Sequence, residues 1–130
     1  MNPHPTEGEL AILRVLWAHR GPCTVREVHE ALSRTKDTAY TTVLKMMTIM
    51  AEKGLVSRDE RERTHLYAAA HPEPAVQSAL LKDLMTRAFS GSALQLVQRA
   101  LDSDAASHED LDAIEVMIAE AKSRRERSGS

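Results

Sequence analysis

Apolar residues recur at helical spacing through the first fifty positions of this chain, alternate briefly after Gly54, and return to helical spacing beyond residue 75. Leu10, Leu13, Leu16 and Trp17 fall three and four apart, which predicts one face of a helix ending near His19. Thr6-Glu7-Gly8-Glu9 ahead of them has capping-box form, and Gly21-Pro22 breaks the helix. A second capping box, Thr24 to Glu27, opens a short helix with Val25, Val28 and Leu32 inside. The third helix takes Asp37 as its N-cap and buries Val43, Met46, Met47 and Met50; Gly54 stops it, with Lys53 near the negative end of the dipole. Thr38, Thr41, Thr42, Lys45 and Thr48 are left on its outer side, a compact, polar and mostly uncharged surface.

The period then drops to two. Leu55 to Arg58 and Thr64 to Tyr67 read as strands joined by a charged turn, Asp59 to Glu62. So small a hairpin needs helices to pack on. Three helices followed by one hairpin is the order of a winged helix-turn-helix. Ala68 to Pro74 reads as a hinge, dividing a winged-helix domain at 1–70 from a three-helix region at 71–130. Val76, Leu80, Leu84 and Ala88 mark the first of those helices, which Ser90-Gly91 ends. Leu94, Val97 and Leu101 mark the second; Leu111, Ile114, Met117 and Ile118 mark the third, behind a Ser107-x-x-Asp110 cap, with a frayed tail from Lys122. The expected fold is mainly α with a small β-hairpin.

Three helices in about 55 residues bury too little core alone, yet their apolar stripes are broad. Burial against a second copy resolves this, through Val76, Leu80, Leu84, Leu94, Val97, Leu101, Leu111, Ile114 and Ile118. A two-fold dimer of helix-turn-helix modules presents two reading helices to a palindromic DNA site. Charge permits this reading without proving it. The 17 Lys/Arg against 19 Asp/Glu give a net −2, split as ten against nine (+1) over residues 1–70 and seven against ten (−3) over 71–130, so a nucleic-acid face belongs to the first half.

Other classes lose ground on composition. One cysteine in 130 residues excludes an internal disulfide scaffold and a multi-cysteine metal site. The six histidines are scattered, with no tight Cys/His/Asp group, so no metal site and no cofactor are expected. Cys23 reads as a structural thiol before a redox switch. Nothing cradles a phosphate and no nucleophile has a motif around it, so an enzyme is not expected. No apolar run reaches the roughly 20 residues of a membrane span, and the N-terminus has no signal-peptide pattern, which makes the cytoplasm the expected location. With four aromatics in all, Trp17 belongs to the core of the first helix.

The segments resemble the penicillinase repressors, a family that includes the methicillin-resistance and copper-responsive repressors of bacteria. The matching residues are Thr6, Glu9-Leu10, Ile12-Leu13 and Val15-Leu16-Trp17, then Thr24-Val25-Arg26-Glu27-Val28, Tyr40-Thr41-Thr42-Val43, Lys53-Gly54-Leu55-Val56, and Arg63, His65 and Tyr67 in the wing. Beyond the DNA-binding module, Phe89-Ser90-Gly91-Ser92 with Leu96-Val97 fits the family's Phe-x-Gly-Ser-x-x-x-Leu-Val. Lys45, Ile49 and the Glu62-Arg63 pair depart from the family pattern, and the paired C-terminal cysteines of the copper-responsive branch are missing. The resemblance implies a homodimeric repressor that reads double-stranded operator DNA and acts by occluding a promoter. It also implies a membrane-bound sensor metallopeptidase as partner, with cleavage between Ala88 and Phe89.

From the residues themselves, Thr41, Thr42 and Lys45 are the candidates for base contact, because hydroxyls and an ammonium group on a helix can meet base edges. Thr38 and Tyr40 sit where a helix start favours a phosphate, although the Tyr40 ring also suits packing. Arg63 matches the family's wing arginine; Arg58 and Arg61 suit a solvated charged turn as well as a phosphate contact. The alternative is a winged-helix module that binds protein instead of DNA, which a polar outer face on the third helix disfavours.

Overall fold

The structure is a computed structural model that describes residues 4–129. In chain order it contains helices α1 (Glu7–Ala18), α2 (Val25–Ser33) and α3 (Tyr40–Lys53), strands β1 (Val56–Asp59) and β2 (Leu66–Ala69), and helices α4 (Glu73–Phe89), α5 (Ala93–Asp102) and α6 (His108–Arg127). The chain folds as two compact units, one through Lys82 and the other from Asp83, so α4 runs across the division. The described helices include none long and apolar enough to cross a membrane.

In the first unit the capping signals work as expected. The Thr6 and Thr24 hydroxyls accept from the amides of Glu9 and Glu27, whose carboxylates accept in return from the two threonine amides. Ile12, Leu13 and Leu16 of α1, Val28 of α2, and Val43, Met47 and Met50 of α3 meet in one core, closed by Leu55, Val56 and Tyr67 from the hairpin. Leu32, Met46 and Trp17 are only partly buried at its edge, and the Trp17 indole donates to the His71 carbonyl at 3.0 Å. Gly54 ends α3 at φ 82°, a left-handed conformation that costs a side chain energy, and the Leu55 amide reaches back to the Met50 carbonyl.

Four local readings need correction. Helix α3 begins at Tyr40 with Ala39, not Asp37, at the N-cap, and no side chain bonds its first amides. Thr38 is held out of the helix, its hydroxyl donating to the Lys36 carbonyl and its own carbonyl accepting from His29 Nε2 at 2.7 Å. The strands lie later than periodicity placed them, pairing Val56 with Ala69 and Asp59 with Leu66. Ala68 and Ala69 therefore belong to β2 instead of a hinge, and Pro74 occupies the first turn of α4, where a missing amide hydrogen costs nothing. Helix α6 continues to Arg127 instead of fraying at Lys122, with Arg124, Arg125 and Arg127 placed against the negative end of its dipole.

A contact invisible to periodicity completes the first unit. Cys23, in the α1–α2 loop, pairs with Tyr67 as an antiparallel bridge: its amide donates to the Tyr67 carbonyl at 2.8 Å and its carbonyl accepts from the Tyr67 amide at 2.7 Å. The wing is thereby tied to the loop ahead of α2.

The second unit buries far less. Neither α5 nor α6 contains a buried residue, and Leu84, Leu94, Val97, Leu101, Leu111 and Ile118 are all exposed, Leu94 at 80%. Ser92 and Ser107 cap α5 and α6 through the amides of Gln95 and Asp110.

Candidate nucleic-acid interface

The outer surface of α3 follows from its inner one. At about 100° per residue, burying Val43, Met47 and Met50 turns Thr41, Lys45 and Thr48 to the opposite side, with Thr42 and Ile49 on one flank and Tyr40 and Leu44 on the other. Thr41, Thr42 and Lys45 are exposed. Thr48 bends its hydroxyl back to the Leu44 carbonyl at 2.9 Å, which occupies its donor. This face is less polar than the periodicity suggested: Tyr40 is 43% exposed, Leu44 41% and Ile49 39%. Sequence reasoning missed Leu44 because a leucine in an amphipathic helix counts as core by default.

Tyr40 packs as one of its two sequence readings expected, and keeps part of its surface exposed. Half its ring is exposed; the rest packs edge-on against His29 of α2, with centroids 5.6 Å apart and planes at 76°. His29 also anchors the Thr38 carbonyl, so one side chain of α2 sets both residues at the start of α3. No spacing rule marks His29, since its partners lie nine and eleven positions away.

The wing arginines separate by their neighbours. Arg61 donates to both carboxylate oxygens of Asp59, and its side chain and amide together hold the Asp59 carboxyl down to about 2. Arg58 is partly buried, its Nε 3.4 Å from a Glu60 carboxylate oxygen. Arg63 is exposed and forms no ion pair among the described residues. It shares a depression of ≈ 490 Å³ with Tyr40, Leu44, Arg26, Thr64 and His65. Thus α3, the start of α2 and the wing converge on one surface, which adds Arg26 to the residues chosen from sequence.

Elsewhere, Val76 is buried within the first unit at 8% exposure, and Leu80 is partly buried. Ala88 and Phe89 form the end of α4, Ala88 exposed and Phe89 partly buried. Ser90 follows at φ 51° and Gly91 at φ 80°, two successive left-handed residues that turn the chain, with the Gly91 amide bonded to the Met85 carbonyl. A serine in that region is strained by roughly 1–2 kcal/mol.

The sequence model of the penicillinase repressor family matches residues 5–120. The transcriptional regulator BlaI of Mycobacterium tuberculosis (strain H37Rv) is 38% identical over 87 residues, covering 67% of this chain and 63% of that protein. The match therefore spans less than two thirds of that relative's length. The penicillinase repressor of Bacillus licheniformis is 24% identical over 123 residues, 95% of each chain. The solution structure of monomeric Bacillus licheniformis BlaI in complex with the blaP half-operator is 25% identical, covering 56% of this chain and 88% of that one at a TM-score of 0.48. Matched over nearly its whole length and built as three helices and a hairpin followed by further helices, the chain belongs to the penicillinase repressor family, winged-helix DNA-binding repressors of transcription and not enzymes.

Proposed function

We propose that this protein is a homodimeric, sequence-specific repressor that occupies a palindromic operator, with α3 in the major groove and the wing beside it. The observation that carries this reading is the exposed Thr41–Thr42–Lys45 face of α3, opposite its buried side, whose flanking Tyr40 and Leu44 share a depression with Arg63, an arginine with no ion pair among the described residues. Thr41, Thr42 and Lys45 suit base edges, Leu44 suits a thymine methyl group, and Thr38, Tyr40 and Arg63 suit phosphates. The uncapped amides at the start of α3 favour an anion there. Residues 71–130 hold two copies together, using the exposed apolar side chains of α4 to α6.

Mobility-shift titrations on the duplex upstream of the protein's own coding region, matched and mismatched, test the assignment. Thr42→Ala or Lys45→Ala should reduce discrimination against mismatches by roughly 1–3 kcal/mol per lost base contact. Arg63→Ala should weaken every duplex about equally and flatten the salt dependence. Equal affinity across all three variants, or weak salt-insensitive binding throughout, would favour the protein-interaction alternative, for which Leu44 and Ile49 supply the apolar surface.

Release by proteolysis at Ala88–Phe89 is the finer part of the proposal, with a membrane-bound sensor metallopeptidase as the partner. The bond lies in the last turn of α4, next to the strained Ser90 and the glycine after it, so only that terminal turn need unwind to offer an extended substrate. A cut there severs α4 from α5 and α6. Intact-mass spectrometry of protein from derepressed cells should find fragments ending at Ala88 and beginning at Phe89; a full-length chain under derepression defeats this route.

A further inference from the structure

Three side chains that sequence spacing leaves unrelated converge at the corner between α1 and α2. His19 is the C-cap of α1, Cys23 lies in the connecting loop, and Glu27 is in the first turn of α2. One ring nitrogen, the thiol sulfur and one carboxylate oxygen all lie within 4.8 Å of one another. We propose that His19, Cys23 and Glu27 form a binding site for a divalent transition metal of the zinc class.

Each donor is oriented for that task. His19 Nδ1 lies 3.0 Å from the Gly21 carbonyl oxygen, which can only accept, so Nδ1 carries a proton and Nε2 is the nitrogen whose lone pair the neutral ring offers to a metal. A backbone carbonyl fixing the far nitrogen is how metal-binding histidines are usually held. Gly21, at φ 102°, makes the turn that brings its carbonyl back to the ring. Nε2 in turn faces Glu27 Oε2 at 3.6 Å, too long for a hydrogen bond and close to the ~3.4 Å that separates two ligands around tetrahedral zinc. The other carboxylate oxygen, Oε1, is held by the Thr24 amide at 2.8 Å. Cys23 is anchored through both of its bonds to Tyr67, and its side chain is buried against a depression of ≈ 520 Å³ that His19 and Glu27 also line. Glu30 stands on the same wall, leaving the fourth position to it or to water.

One sulfur, one nitrogen and one oxygen donor make a borderline set that suits zinc. Binding forms a metal–sulfur bond and releases the Cys23 thiol proton to solvent; thiolate and carboxylate then balance the ion's two charges. The ligands come from the end of α1, the loop and the start of α2, and Cys23 is bonded to the wing. Occupancy therefore braces the corner from which the helix-turn-helix starts.

Cobalt(II) titration of the full chain tests the site optically. Cys23 is the sole cysteine, so a thiolate-to-cobalt charge-transfer band can arise only from this sulfur. The band should saturate at one equivalent per chain with the visible spectrum of tetrahedral cobalt, and zinc should abolish it. His19→Ala changes an exposed residue, and Glu27→Gln retains a side chain that completes the capping box, so both variants should fold, as circular dichroism will check. Each should weaken cobalt at least about tenfold. No charge-transfer band at micromolar cobalt, a band indifferent to both substitutions, or saturation at half an equivalent, the mark of sulfur shared between two chains, would each overturn the proposal.

Discussion

Replacing Val97 and Leu101 together by aspartate is expected to leave this chain folded but monomeric, and to lower its affinity for a full palindrome by about 10²–10⁴-fold. Both residues lie on α5 and keep 41% and 42% of their surface exposed in a single chain, so only the part already covered is lost as packing within one chain. In the proposed dimer the exposed remainder of each would be covered, contributing about 1 kcal/mol per side chain. An aspartate there would instead need its charge desolvated against a second copy. Affinity for an isolated half-site should not change, because the winged helix is untouched. Sedimentation equilibrium at micromolar concentration, with the two DNA titrations beside it, separates the outcomes. A variant that still sediments at twice the chain mass, or a native chain that is monomeric, rules out this interface.

Lys53→Met should cost stability for a reason that the fold alone supplies. Glu9 is 5% exposed, and the Lys53 ammonium lies 2.9 and 3.0 Å from its two carboxylate oxygens. Burial pushes the Glu9 pKa up, but the hydrogen bond from Lys53, the Thr6 amide and the ammonium charge outweigh it, and the carboxyl ends below its ordinary value. The native pair is therefore stabilising above the pKa of Glu9 in the unfolded chain, and that contribution is lost as pH falls through the lower folded value. Removing one partner of a fully buried pair costs about 3–5 kcal/mol. Lys53 is 39% exposed, so screening and water reduce this to about 1–3 kcal/mol at neutral pH. Without Lys53 the burial effect is less opposed, which raises the Glu9 pKa, and protonation relieves part of the penalty. Urea titrations should thus show the deficit of Lys53→Met shrinking from pH 7 to pH 4. A deficit constant across that range would mean that Lys53 contributes by packing, not by charge.

These two cases mark where sequence reading succeeds and where it stops. Periodicity located the six helices and the hairpin of the described residues, because an element that must bury one face repeats its apolar residues at that element's own period. Capping was equally legible at Thr6, Thr24 and Ser107, since each cap bonds an amide only three residues away. The exposed face of α3 followed by subtraction, as whatever Val43, Met47 and Met50 leave outside. Contacts between elements carried no such local signature. Glu9 and Lys53 are 44 positions apart, and sequence offered only a cap for the first and a dipole partner for the second. His29 gave no sign that it would seat Tyr40 and Thr38, nor Cys23 that it would pair with Tyr67 and bring His19 and Glu27 around its sulfur. The start of α3 also moved from Asp37 to Ala39 because a tertiary bond from His29 holds Thr38 extended. Sequence by itself determined the elements, their order and their buried faces, all set by interactions within a few residues. Which charges pair, which arginine of the wing forms no ion pair among the described residues and which scattered donor side chains meet was decided only by tertiary structure, because those interactions depend on distances that chain closure creates.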